Sequence, residues 1–120
     1  MAMTARIFAG ALAAAVLAAP GWALAADTNL SGAELLARCE GTPQMQKVDL
    51  LYCKGYLEGI EDYVSHSEGT TPFCVPGGGV TDDELRTTYM SWAKANGGSL
   101  SKPALNAALA AFAAAYPCVK

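Results

Sequence analysis

One histidine in 120 residues, no two cysteines spaced C-x-x-C, and charged residues held to 16% leave few chemistries open. A lone imidazole with scattered carboxylates cannot assemble a histidine-based zinc site. The missing C-x-x-C excludes thioredoxin-like and zinc-ribbon sites, and the missing C-x-x-C-H excludes covalently held haem. There is no basic excess either: eight Lys and Arg against eleven Asp and Glu give a net charge of -3, which disfavours nucleic acid and anionic lipid as partners. No G-x-S-x-G elbow is present.

The polar groups that remain read as structural. His66 follows Asp62 by one turn, a common pairing at a solvated helix end where a histidine also suits the dipole. Ser99-Leu100-Ser101-Lys102 matches S-x-x-K, but its companion motifs are missing and Ser101 reads better as a helix cap. Gly77-Gly78-Gly79 precedes a helix whose first turn carries Asp82, Asp83 and Glu84, and these would repel a phosphate. Glu58, Glu61 and Asp62 fall on the exposed face of one helix, with no sign of the cleft a paired-carboxylate glycosidase needs. No cofactor, metal site or catalytic residue is expected.

The one long apolar run stands at the N-terminus. Arg6 gives a positive start, residues 7–19 are unbroken small and apolar side chains, and Ala23-Leu24-Ala25 is an A-x-A cleavage sequence. Thirteen residues fall short of the ~20 a spanning helix requires. The pattern predicts a signal peptide over residues 1–25 and a mature domain over residues 26–120, with no membrane anchor after cleavage. Losing Arg6 leaves seven basic against eleven acidic residues, a mature charge of -4.

Export sets the reading of the cysteines. Cys39, Cys53, Cys74 and Cys118 are even in number and all lie in the mature part, which favours two structural disulfides. Four cysteines allow three pairings. Cys39 would end a first helix and Cys53 stand early in a second, so an antiparallel hairpin joins them. Cys74 and Cys118 would then tie the middle loop to the C-terminus.

The elements follow from caps and periodicity. Leu30, Ser31, Glu34 and Leu35 form a capping box with a hydrophobic staple, and Val80, Thr81, Glu84 and Leu85 repeat it. Helices are predicted from these two starts, with another over residues 44–65 and a fourth opening at Ser101-Lys102-Pro103. Gly97-Gly98 is read as a left-handed stop to the third. On the second helix Met45, Tyr52, Cys53, Tyr56, Leu57, Ile60, Tyr63 and Val64 share one arc, read as core, with Lys47 and Lys54 opposite. Asp49 falls within that arc, close enough to the N-terminus for a dipole or capping role. Gly55 and Gly59, four apart, predict close approach of a neighbouring helix. Leu105, Leu109, Phe112 and Tyr116 form the expected buried stripe of the fourth. The fold class is all-α, a compact four-helix bundle-like domain stapled by two disulfides.

Several of these residues recur together in a known pattern. Leu35-Leu36 before Cys39, Tyr52-Cys53-Lys54-Gly55-Tyr56-Leu57-Glu58-Gly59, Phe73-Cys74-Val75-Pro76, Pro103-Ala104 and Tyr116-Pro117-Cys118 resemble the Rap/Tai family of type VI secretion immunity proteins. That resemblance implies a small helical periplasmic protein that binds and occludes a peptidoglycan amidase effector. The expected contact elements are the polar, exposed Glu58, Glu61 and Asp62 face and the loop from Glu68 through Gly77, Gly78 and Gly79. Pairing with a second copy is left open. The competing expectations are a periplasmic acid-stress chaperone, which would expose apolar surface on protonation, and a structural envelope protein.

Overall fold

In the computed structural model, residues 29–119 are described, and the expected signal peptide lies outside them. Four helices follow in order: α1 (Gly32–Glu40), α2 (Gln46–Ser65), α3 (Asp82–Ala95) and α4 (Ala104–Ala115), with a short 3-10 turn at Gly97–Ser99. No strand occurs among the described residues, and the all-α expectation is borne out.

Both capping boxes form. The Ser31 hydroxyl accepts from the Glu34 amide at 3.1 Å while the Glu34 carboxylate accepts from the Ser31 amide at 2.8 Å. Thr81 and Glu84 repeat the exchange at 3.2 and 2.9 Å. Each box satisfies two amides that a helix start otherwise leaves open.

The other two starts depart from expectation. Met45, which precedes α2, makes no side-chain cap. Ser101 does not cap α4; Pro103 takes that place. The acceptor comes from the backbone instead: the Ala104 amide donates to the Leu30 carbonyl at 2.7 Å, and the Gly32 amide donates to the Lys102 carbonyl at 2.9 Å. The segments entering α1 and α4 run antiparallel here and pair as one β-bridge, Ser31 with Pro103. One exchange therefore serves two helix starts.

Gly97-Gly98 is also not a left-handed stop. Positive φ among the described residues is confined to Gly41, Gly69 and Gly79. Helix α3 ends on Asn96, whose side-chain amide donates to the Trp92 carbonyl at 2.8 Å and so satisfies one open acceptor of the last turn.

One core joins all four helices and the middle loop. Leu35, Cys39, Cys53, Leu57, Phe73, Leu85, Tyr89 and Phe112 are fully buried. Phe73, which stands in the loop, meets Phe112 edge-on with ring centroids 5.3 Å apart. The Tyr89 hydroxyl donates to the Gly32 carbonyl at 2.7 Å, and burial pushes its pKa up to about 12. A buried phenol needs such a partner.

The disulfides join Cys39 to Cys53 and Cys74 to Cys118, with Cα separations of 5.0 and 4.8 Å. This is the pairing that the helix layout favours.

Which faces are buried differs more. The arc on α2 is only half core: Cys53, Leu57 and Val64 are buried, Tyr56 and Ile60 pack partly, and Met45, Tyr52 and Tyr63 are exposed. On α4 the buried face is Ala104, Ala107, Ala108, Ala111 and Phe112, while Leu105 is 47% exposed. The close approach expected at Gly55 and Gly59 happens at Gly32. A Cβ there would stand 3.0 Å from the Ala107 Cβ and 3.3 Å from the Leu100 Cα, so α1 and α4 meet through small residues. At Gly55 and Gly59 a Cβ would meet nothing within 4 Å.

These two glycines therefore cost helix stability without returning any packing inside the chain. Gly55→Ala and Gly59→Ala are each expected to raise the unfolding free energy by about 1 kcal/mol. Urea denaturation at neutral pH checks this; a loss of stability would mean that the outward face is misassigned.

Candidate partner interface

Helix α2 is tied to its neighbours at its start and at its middle. At its start, Asp49 is buried and turned back to the α1–α2 turn, where it accepts from the Thr42 amide at 2.9 Å and the Thr42 hydroxyl at 2.6 Å. Arg38 of α1 completes the arrangement at 3.2 Å and lies over the Tyr52 ring, 4.6 Å from its centroid. Asp49 is thus a cap for the preceding turn and not for the amides of its own helix. The hydrogen bonds from Thr42, aided by Arg38, hold its carboxyl below the usual carboxylate range.

Midway, Lys54 bridges to α3, 2.8 Å from Asp83 and 3.8 Å from Asp82. The pairing lowers the Asp83 pKa and raises that of Lys54. Lys54, expected on the solvated face, is therefore occupied within the chain.

Carboxylates with depressed pKa values stabilise the fold above their unfolded pKa and lose that contribution as pH falls through the folded value. The urea midpoint is expected to hold from about pH 7 to about pH 5 and to fall steadily below about pH 4. Asp49→Asn should lower the midpoint at neutral pH and flatten the acid limb. An unchanged acid limb in that variant would show that Asp49 does not carry the dependence.

Beyond these anchors the surface is apolar where soluble helices are usually polar. Val48, Leu51, Tyr52 and Tyr63 are all exposed, Tyr63 at 76% and Leu51 at 72%, and Tyr52 stacks on Tyr56 with centroids 6.3 Å apart. Gly55 and Gly59 are exposed between them. The C-terminal half of α2, the start of the middle loop and α4 enclose a groove of about 520 Å³. Its walls are chiefly Tyr56, Gly59, Ile60, Tyr63, Leu105 and Leu109.

The expected contact residues divide between two places. Glu58 and Asp62 are exposed on α2 but outside the groove lining, and Glu68 lines the groove itself. Glu61 is half-buried and accepts from the Ser65 hydroxyl at 2.7 Å. Gly77, Gly78 and Gly79 are exposed, and the Gly79 amide donates to the Pro76 carbonyl at 2.8 Å in a turn. Gly79 lines a different depression, of about 550 Å³, with Asp83, Thr87 and Tyr116. The loop between is pinned at its centre by buried Phe73, by the Cys74 amide donating to the Tyr116 carbonyl at 2.8 Å, and by the second disulfide. His66 uses Nδ1 on the Asp62 backbone carbonyl at 2.8 Å, not on its carboxylate.

Tyr63 and Leu105 are the groove residues that sequence reasoning misassigned as core, while Leu109 is partly buried and packs against it. The close helix approach expected from the paired glycines of α2 is not made within the chain, where a Cβ on either would meet nothing within 4 Å.

A small, disulfide-stapled helical domain that uses Glu34, Asp49, Lys54 and Glu84 for caps and interhelical ties, and leaves an apolar groove uncovered, has the character of a protein-binding module. The chain belongs to the Rap1a immunity proteins, whose family model matches residues 31–118, from the first helix cap to the last cysteine. No curated protein and no solved structure matched the chain.

Proposed function

We propose that this chain is exported to the periplasm, loses residues 1–25, and protects its cell by binding and occluding a peptidoglycan amidase effector delivered by type VI secretion. Membership of the Rap1a immunity proteins carries this reading. Two disulfides support an oxidising compartment, since such bonds persist there and are rare in the cytosol. Protection by occlusion requires no reactive group. It requires a rigid surface that excludes water from the partner's cleft and keeps the entropic cost of binding low. Two crosslinks and the Asp49 and Lys54 ties supply that rigidity. Glu58, Glu61, Asp62, Glu68 and Gly77, Gly78 and Gly79 are the polar elements offered to the effector.

The test pairs the purified mature protein with any peptidoglycan amidase effector encoded beside its gene. Co-elution in a stable complex and loss of peptidoglycan cleavage are expected; free co-existence with full hydrolytic activity would overturn the proposal. The processing step is checked separately by intact mass of the periplasmic protein. It should begin at Ala26 and lack the four hydrogens removed by two disulfides.

A further inference from the structure

We infer that the Cys74–Cys118 bond is a redox latch on the groove between α2 and α4. Reduction by a dithiol opens it and frees the wall of the groove that the middle loop supplies, while the helical core stays folded. Such a latch works whether or not the partner is an amidase. Three features of this part of the fold converge on it.

The first is the contrast between the two crosslinks. Cys39 and Cys53 are fully buried in the core, between α1 and α2. Cys74 and Cys118 are exposed, one in the loop and the other beyond the end of α4. A thiolate in solution therefore reaches the second bond while the domain is still folded.

The second is how little else holds the loop. Residues 68–73 make no backbone–backbone hydrogen bond among the described residues. The Phe73 ring is buried, the Cys74 amide donates to the Tyr116 carbonyl at 2.8 Å, and the Thr71 hydroxyl donates to the Phe73 carbonyl at 3.0 Å. These contacts keep the centre of the loop docked when the crosslink opens, and they leave the stretch before Phe73 dependent on Thr71.

The third joins the sulfurs to the groove. Thr71 Oγ1 stands 3.9 Å from the Cys74 Sγ and 3.8 Å from the Cys118 Sγ. Glu68, Thr70, Thr71 and Pro72 line the groove together with Leu105 and Leu109. Thr71 thus meets both the bond and the cavity. In the disulfide neither sulfur carries a hydrogen. Once reduced, each is an S–H donor or a thiolate acceptor, and a thiolate competes with the Phe73 carbonyl for the Thr71 hydroxyl.

The exchange balances with a dithiol donor, dithiothreitol in vitro or the paired thiols of a C-x-x-C protein. One thiolate of the donor attacks one sulfur and forms a mixed disulfide, and the other cysteine leaves as a thiolate and takes up a proton. The donor's second thiol then displaces the first cysteine. Two electrons pass to Cys74 and Cys118, which end as thiols, and the donor ends as a disulfide.

The test compares the oxidised mature protein with its two-thiol form, reached by titration with dithiothreitol and identified by mass after alkylation of a sample. In the two-thiol form, NMR order parameters over residues 68–72 should fall below about 0.6, the flexible range. The Cys74 amide should lose at least about tenfold in hydrogen-exchange protection. Amide shifts should move at Tyr63, Leu105 and Leu109 while those of α1 stay in place. Reoxidation with oxidised glutathione should restore the starting spectrum, and Cys74→Ser with Cys118→Ser should show the loosened pattern without reductant. Unchanged order parameters in the two-thiol form would overturn the inference, as would loosening spread evenly through the domain. A serine pair that unfolds would show a structural staple in place of a latch and overturn it equally.

Discussion

Replacing Phe112 with alanine is expected to lower the unfolding free energy by about 3 to 5 kcal/mol. The ring is fully buried in α4, and it is the surface on which Phe73 of the middle loop rests, 5.3 Å between centroids. Removing it leaves a cavity between an element that is otherwise alanine-lined and a loop with no other large buried side chain. The neighbours cannot collapse into the gap, because Ala107, Ala108 and Ala111 already bring α4 close to the rest of the bundle. Small domains have net stabilities of about 5 to 15 kcal/mol, so the variant should be unfolded, or nearly so, at moderate urea. Chemical denaturation measures the loss. A cost under about 1 kcal/mol would mean that Phe73 and Phe112 do not form the centre of the core.

The second large effect belongs to the disulfides, and the two bonds should behave differently. Chain entropy assigns about 3 kcal/mol to the Cys39–Cys53 loop and about 4 kcal/mol to the longer Cys74–Cys118 loop. Their surroundings reverse the order of access. Cys39 and Cys53 are completely buried among the core side chains, whereas Cys74 and Cys118 are exposed. Thiolate attack needs access to a sulfur. Titration with dithiothreitol is therefore expected to open Cys74–Cys118 first, giving a folded species with two free thiols and a loosened loop, before Cys39–Cys53 opens together with global unfolding. Mass spectrometry after alkylation identifies the bond at each step. Simultaneous reduction of both would show that the exposed bond is protected by something other than burial.

Much of this protein was legible as sequence because the determining interactions are short in range. Ser31 with Glu34 and Thr81 with Glu84 act across three residues, and the hydrogen bonds that they make are indifferent to what lies elsewhere in the fold. The cysteine pairing was legible for a related reason: once α1 and α2 are placed as a hairpin, Cys39 and Cys53 are the natural neighbours. Local reasoning failed wherever a longer-range group could replace the expected one. Ser101 is an adequate cap by type, but the Leu30 carbonyl reaches the start of α4 from the other end of the domain. Asp49 is well placed for its own helix dipole, yet Thr42 offers it two donors from the preceding turn.

The candidate interface was legible only in part. Glu58, Asp62 and Glu68 were visible as polar and exposed, and of the three Glu68 lines the groove. Tyr63 and Leu105 were taken for core because helical periodicity marks an apolar arc without saying how much of it a neighbour will cover.

The amino-acid order alone determined the helical class, two of the four helix starts and the Cys39–Cys53 crosslink, since each follows from contacts within a few turns of chain, and the even cysteine count then left Cys74 to pair with Cys118. The tertiary structure decided which side of α2 and α4 faces inward. That choice depends on how closely backbones can approach: Gly32 against Ala107 draws α1 onto the alanine face of α4, and in turning that face inward the packing leaves Leu105, Tyr63 and the Gly55–Gly59 track at the surface.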